Sequence, residues 1–191
     1  MTNRNLTLIL TMLLIFPFAA NAGTLSRAQH RDHFTELEVE QIKDTQILDK
    51  RIGVFVKAIE RRLRVLTGAT TGTAKQQKKD AELYGALPTG SRAELIGDIG
   101  KILDEAITNI DDVSSRDEKN PLIPTALRLL AGEAKRVVEQ LQPFQSQASS
   151  DAEVSSIERV TENAESILAA ANKLPPPVAK EKKKKQEKSS N

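Results

Sequence analysis

Two histidines stand close together near the start of the chain, in His30-x-x-His33-x-x-Glu36, with Asp32 between them. Two imidazoles and a carboxylate make a donor set for zinc or copper. On a helix the three side chains would fall roughly along one face. The same stretch carries Thr35-x-x-Glu38, a capping box that starts a helix after His33. Both histidines would then precede the helix, in a terminal segment of the kind that is usually loose. Solvent-exposed histidines without a metal are therefore the default expectation, and His30, His33 and Glu36 are the one metal candidate.

Other cofactor chemistry is harder to place. A di-iron carboxylate bundle needs Glu-x-x-His pairs on facing helices, and the chain has only these two histidines. Haem needs an axial His, Met, Cys or Tyr in the core. Met1 and Met12 fall in the apolar N-terminal segment, Tyr84 falls in a polar connection, and there is no cysteine. Zinc–thiolate sites, iron–sulfur clusters and thiol nucleophiles are thus excluded, and no cofactor is expected. No Ser/His/Asp arrangement forms without a core histidine. The carboxylates Asp98, Asp104/Glu105, Asp111/Asp112 and Glu162/Glu165 read as solvated helix faces and surface ion pairs. General acid–base work requires a carboxylate in a desolvated cleft, and the apolar stripes described below predict none. The expectation is a protein without catalytic chemistry.

Cations gather in three places. Arg61, Arg62 and Arg64 close a helical stripe, where they complement the negative end of the helix dipole. Lys75, Lys78 and Lys79 lie beside Tyr84, and a solvated connector with one anchoring aromatic is the simpler reading of that cluster than a ligand patch. The third group, Lys180, Lys182, Lys183, Lys184, Lys185 and Lys188, follows Pro175-Pro176-Pro177. With two glutamates this tail carries about +4, against +2 for the whole chain, of which Arg4 supplies +1, so the body from Gly23 to Leu174 is at about −3. A lysine block without apolar residues cannot bury a core and is expected to be disordered. It would serve as a solubilising tail or as an electrostatic tether to an anionic surface, lipid headgroups or wall polymer. Nucleic acid is not the expected partner.

The elements that must position these groups are helices. The Thr35 capping box opens a stripe through Ile42, Leu48, Ile52, Phe55/Val56, Ile59, Leu63 and Leu66, closed by Gly68. Phe34 and Val39 stand where a hydrophobic staple would put them. Gly53 interrupts this run, at a cost of roughly 1 kcal/mol relative to alanine. A polar connection follows, in which 74–84 can form a short helix between Gly72 and Gly85. Ser91-x-x-Glu94 and Ser150-x-x-Glu153 are two further capping boxes, each before an apolar stripe of helical period. Asn120-Pro121 introduces another stripe, which Pro143 ends or kinks. The predicted fold is all-α, an antiparallel four-helix bundle with helices at about 36–66, 92–113, 121–142 and 151–172. An extended coiled-coil hairpin is the alternative.

The ends set an expected address. Arg4, the apolar run Leu6–Ala19, and the small-x-small site Ala20-Asn21-Ala22 have the three-part layout of a secretory signal peptide. As a helix the run would be about 21 Å long, too short for a hydrocarbon core of roughly 30 Å. Cleavage is expected near Ala22-Gly23, giving a periplasmic or secreted protein. Its organisation would be 1–22 signal peptide, 23–34 N-terminal arm, 35–174 helical domain and 175–191 Pro/Lys-rich tail. The expected role is an exported binding or structural module, engaging a protein partner or a second copy through its helix faces. A small-ligand or metal-binding bundle in the same compartment is the alternative, followed by an enzyme whose site the sequence does not display.

Overall fold

The computed structural model describes residues 32–69 and 72–176. The signal-peptide reading, His30 and the six tail lysines lie outside the described residues. Among the described residues there are six helices and no strand: α1 (Glu36–Asp44), α2 (Leu48–Thr67), α3 (Ala74–Tyr84), α4 (Arg92–Arg116), α5 (Ile123–Gln145) and α6 (Asp151–Asn172). None of them is long and apolar enough to cross a membrane.

The segment expected to form one helix over 36–66 is two helices. The Thr35 capping box is present: the Glu38 N–H donates to Thr35 Oγ1, and the Thr35 N–H donates to Glu38 Oε2. Phe34 is buried and its ring packs on Phe55, with 5.8 Å between centroids. The helix then breaks, because Thr45 and Ile47 adopt extended backbone. Arg51 holds the break together. Its Nε donates to the Thr45 carbonyl at 2.7 Å, and its two terminal nitrogens donate to Gln46 and to Asn109 of α4. The apolar stripe had marked the place. It steps by six between Ile42 and Leu48, which skips a turn of a 3.6-residue helix.

The remaining boundaries follow local chemistry, with four adjustments. The α2 helix ends at Gly68 in the left-handed conformation, φ 67°, which glycine adopts without steric cost. The α3 helix spans the segment expected for it and carries a capping box between Thr73 and Gln76. The α4 helix starts at its Ser91 box and runs three residues past the expected Val113. Asn120 does not cap α5. Its side chain accepts from the Leu122 N–H to shape a turn, and the helix starts at Ile123 with Pro124 in its first turn. Pro143 neither ends α5 nor lies deep within it. The helix continues only to Gln145, so a single missing N–H in the last turn is tolerated. At α6, Ser150 caps the Glu153 N–H, but Glu153 does not reach back to close a box. Its carboxylate accepts instead from the Ser149 N–H and from Arg92.

The buried faces of α2, α4, α5 and α6 share one aliphatic core, with Ile52, Phe55, Ile59, Ile96, Ile99, Leu103, Leu130, Val137 and Val160 at its centre. The α2 helix packs on α4 and α5, and α6 packs on the same two. Contacts between residues fix the directions. Gly97 faces Ser156 and Gly100 faces Val160, so α4 and α6 run the same way. Glu60 pairs with Arg136 and Gly53 faces Leu129, so α2 and α5 also run the same way. Arg51 meets Asn109 and Arg62 lies near Asp98, so α2 and α4 run oppositely. Close approach of α4 and α6 depends on two glycines. A Cβ added at Gly97 would come within 3.3 Å of Ser156 Oγ, and one at Gly100 within 3.4 Å of the Arg159 side chain. The Gly100 carbonyl also accepts from Asn163 at 3.0 Å.

Candidate ligand-binding cleft

The α2 helix carries two sets of charged groups, and only one of them is open to solvent. The closed set centres on Glu38 of α1, which is fully buried. Its Oε1 accepts from Arg61 Nε at 2.9 Å and from Arg62 Nη1 at 2.8 Å, while Oε2 accepts from Arg62 Nη2 at 2.8 Å. Arg61 spends its other nitrogens on the carbonyls of Tyr84, Gly85 and Ala86 and so fastens the end of α3. Arg62 also donates to the carbonyls of Ala58 and His33. Asp98 of α4 is buried too, with its Oδ2 3.9 Å from Arg62 Nε. Two expectations are corrected here. Arg61 and Arg62 do not act as exposed complements to the α2 dipole, and Asp98 is not on a solvated face. The first follows from the break between α1 and α2. On one straight helix Glu38 and Arg61 would stand about 35 Å apart, whereas the break folds α1 back onto the last turns of α2.

The open set lines a cleft of about 290 Å³ between α2, α3 and α5. Helical spacing brings Lys57, Glu60, Arg64 and Thr67 to one face of α2, and Gln76 with Asp80 to the facing side of α3. Arg136 and Gln140 come from α5, and Leu63 provides an apolar patch. Lys57 Nζ lies 2.5 Å from Asp80 Oδ2 and 3.4 Å from Glu60 Oε2. Arg136 Nη2 lies 2.6 Å from Glu60 Oε1 and also bonds Glu133. Burial disfavours the charge on Lys57 and on Arg136, but the carboxylates around each outweigh it and raise both above their ordinary values. Glu133 lies behind Arg136, almost fully buried. Burial pushes its carboxyl up to about 7, against the opposing pull of Arg136. The α3 wall has no buried residue of its own. It is held by the Lys57–Asp80 pair at its centre and by Arg61 at its end.

Other residues singled out from the sequence fall as follows. His33 is packed between Phe34 and α4, and its Nε2 lies 2.6 Å from Glu105 Oε1. Glu36 is exposed in the first turn of α1. Among the described residues no group of three or more His, Cys, Asp or Glu side chains is placed to hold a metal ion. Lys75, Lys78 and Lys79 are exposed on α3, while Tyr84 is half-buried beneath the Arg61 guanidinium, 5.6 Å from its ring centroid. Burial raises the Tyr84 phenol above its ordinary value. Asp104 pairs with Arg159, and Asp111, Asp112, Glu162 and Glu165 are exposed. The cleft was not expected, since the apolar stripes alone predict dry interfaces. Its signal in the sequence is the polar row Lys57, Glu60, Arg64, Thr67, which keeps helical period beside the apolar stripe.

A wider groove of about 400 Å³ lies where α5 meets α6, around Val154 and Ile157. Its only carboxylates, Glu158 and Glu162, are exposed, and no charged pair converges in it. The α2/α3/α5 cleft has more means to orient a ligand. Compared with known proteins, the chain matches no family model, no curated protein and no solved structure.

Proposed function

We propose that this chain is an exported helical binding module without catalytic chemistry, and that it holds a small polar ligand in the α2/α3/α5 cleft. The observation that carries this reading is the convergence of polar groups from three helices on one concavity. Its two carboxylates, Glu60 and Asp80, are engaged with Lys57 and Arg136, an arrangement suited to positioning a ligand rather than moving its protons. The body is a four-helix bundle of α2, α4, α5 and α6 whose chain alternates direction, with α1 and α3 added to one side. That leaves parallel neighbours within the ring, and the cleft forms where the parallel pair α2 and α5 is roofed by α3. The three-part layout of the first 22 residues supports export. The lysine tail would add attraction to an anionic surface.

Saturation-transfer NMR with a panel of small polar compounds tests the cleft. Gln140→Trp fills it without touching the core. Hits that disappear in this variant, at an unchanged melting temperature, support the reading. Hits that persist, or a panel without hits, contradict it. Export is checked by the intact mass of the protein recovered from the envelope or medium: a start at Gly23 supports it, and retention of Met1 contradicts it. Removal of the chain after Leu174 should abolish salt-sensitive binding to anionic vesicles if the tail is a tether.

A further inference from the structure

Three cations and two carboxylates line the cleft: Lys57, Arg64 and Arg136 against Glu60 and Asp80. Lys57 pairs with Asp80, and Arg136 pairs with Glu60. Arg64 has no carboxylate partner among the described residues, and it is half-buried at the wall of the cleft. Resting on the reading of this cleft as a ligand site, we infer that its ligand is a small organic monoanion whose carboxylate is clamped by Arg64.

The charge of the lining sets the class. Below pH 7, where Glu133 behind Arg136 holds its proton, the surplus is a single positive charge, so one carboxylate neutralises it. A phosphate dianion would bring a second negative charge up against Glu60 and Asp80. Arginine suits the task, because its planar fork matches both oxygens of a carboxylate. Arg64 also sits in the last turn of α2, whose carbonyl end it complements. That is a through-space effect that occupies none of its N–H donors. The rest of the lining favours a ligand with an amide or hydroxyl next to its acid group. Gln76 Oε1 is already committed to its own helix cap, accepting from the Thr73 N–H at 2.8 Å, so its amide NH₂ is the part left for a ligand acceptor. Gln140 faces the same space from α5, and Leu63 gives an apolar wall for a short side chain.

The test uses the exported protein and two probes, N-acetylalanine and its neutral methylamide, titrated at constant ionic strength. Binding is followed in every variant by the backbone ¹H–¹⁵N resonances of α2 and α3, and in the parent also by the Arg64 Nε–Hε resonance. The expected result is a saturable shift with N-acetylalanine, binding about tenfold or more weaker for the methylamide, and a similar loss in Arg64→Gln. Arg64→Lys, which keeps the charge and removes the fork, should fall between. Equal binding of the two probes, or unchanged affinity in Arg64→Gln, overturns the inference, as does the lack of any saturable shift. Tighter binding of inorganic phosphate than of N-acetylalanine overturns the monoanion class. Equal binding of both probes that is lost in Gln140→Trp would still leave the cleft standing as a ligand site, so the two claims fail separately.

Discussion

The two charged regions of α2 are built from the same residue types and differ in what surrounds them. In the knot, Glu38, Arg61 and Arg62 are sealed from water, and the carboxylate and the terminal nitrogens of both guanidiniums find protein partners, while Arg62 Nε has Asp98 Oδ2 at 3.9 Å as an ionic neighbour only. In the cleft, Lys57, Glu60 and Arg136 are each about one-third exposed, and Arg64 is left over. A buried charge must be matched where it sits, so the knot has nothing to offer a ligand and much to lose from mutation. A half-exposed charge can exchange water for a ligand at little cost to the fold. Arg62 and Arg64 are two positions apart, and neighbours of that spacing face different sides of a helix. That geometry assigns one arginine to the interior and the other to the cleft.

Removing the knot's carboxylate is the harshest way to test this contrast. Glu38→Ala leaves two buried guanidiniums facing each other and also takes away half of the α1 capping box. The expected loss is about 3–5 kcal/mol in urea unfolding, with α1 and the end of α3 released together. A loss below about 1 kcal/mol would show that the knot is dispensable.

Glu133 provides an intermediate case, buried but next to the cleft. Its carboxyl is raised from the ordinary 4.5 to about 7 in the folded chain. The folded state therefore holds that proton more tightly than the unfolded state does. The stabilisation is complete below about pH 4.5 and is lost as pH rises through 7. Glu133→Gln should flatten this profile and stabilise the protein at pH 8 by about 1–3 kcal/mol relative to the parent. Parallel stability profiles for the two proteins between pH 5 and 8 would contradict the assignment. Glu153 has the opposite sign. The bonds from Arg92 and the Ser149 N–H hold it below the usual carboxylate range, so its contribution is lost toward acid.

Smaller effects separate tight packing from slack. A methyl group at Gly53 would sit 4.0 Å from Leu129 Cδ2, an ordinary contact. Gly53→Ala should therefore stabilise by up to about 1 kcal/mol. Gly100→Ala, which presses on Arg159 and Val160, should not be stabilising. Asp80→Asn removes the central strap of α3. It should leave the global unfolding free energy within about 1 kcal/mol while speeding amide exchange in α3.

Helix positions were legible where local chemistry decides them. The boxes at Thr35 and Ser91, the cap at Ser150 and Gly68 placed helix ends within a residue or so of where they lie. Long-range pairing was not legible. Glu38 has a sufficient local role as a capping residue, and Arg61 and Arg62 have one as partners of a helix dipole, so nothing local reveals that they bind one another across 23 positions. The break at Thr45–Ile47 that brings them together showed only as a six-residue step in the stripe. The same gap hid the cleft. Lys57 and Arg136 each look like a solvated charge until α3 and α5 are placed beside α2.

The most direct test sets the two arginines against each other. Arg62→Gln and Arg64→Gln are compared by urea unfolding and by N-acetylalanine titration. The account predicts a loss of about 3 kcal/mol or more for Arg62→Gln. For Arg64→Gln it predicts unfolding within about 0.5 kcal/mol of the parent and loss of the titration. Equal destabilisation by both substitutions, or a titration that survives Arg64→Gln, would contradict it.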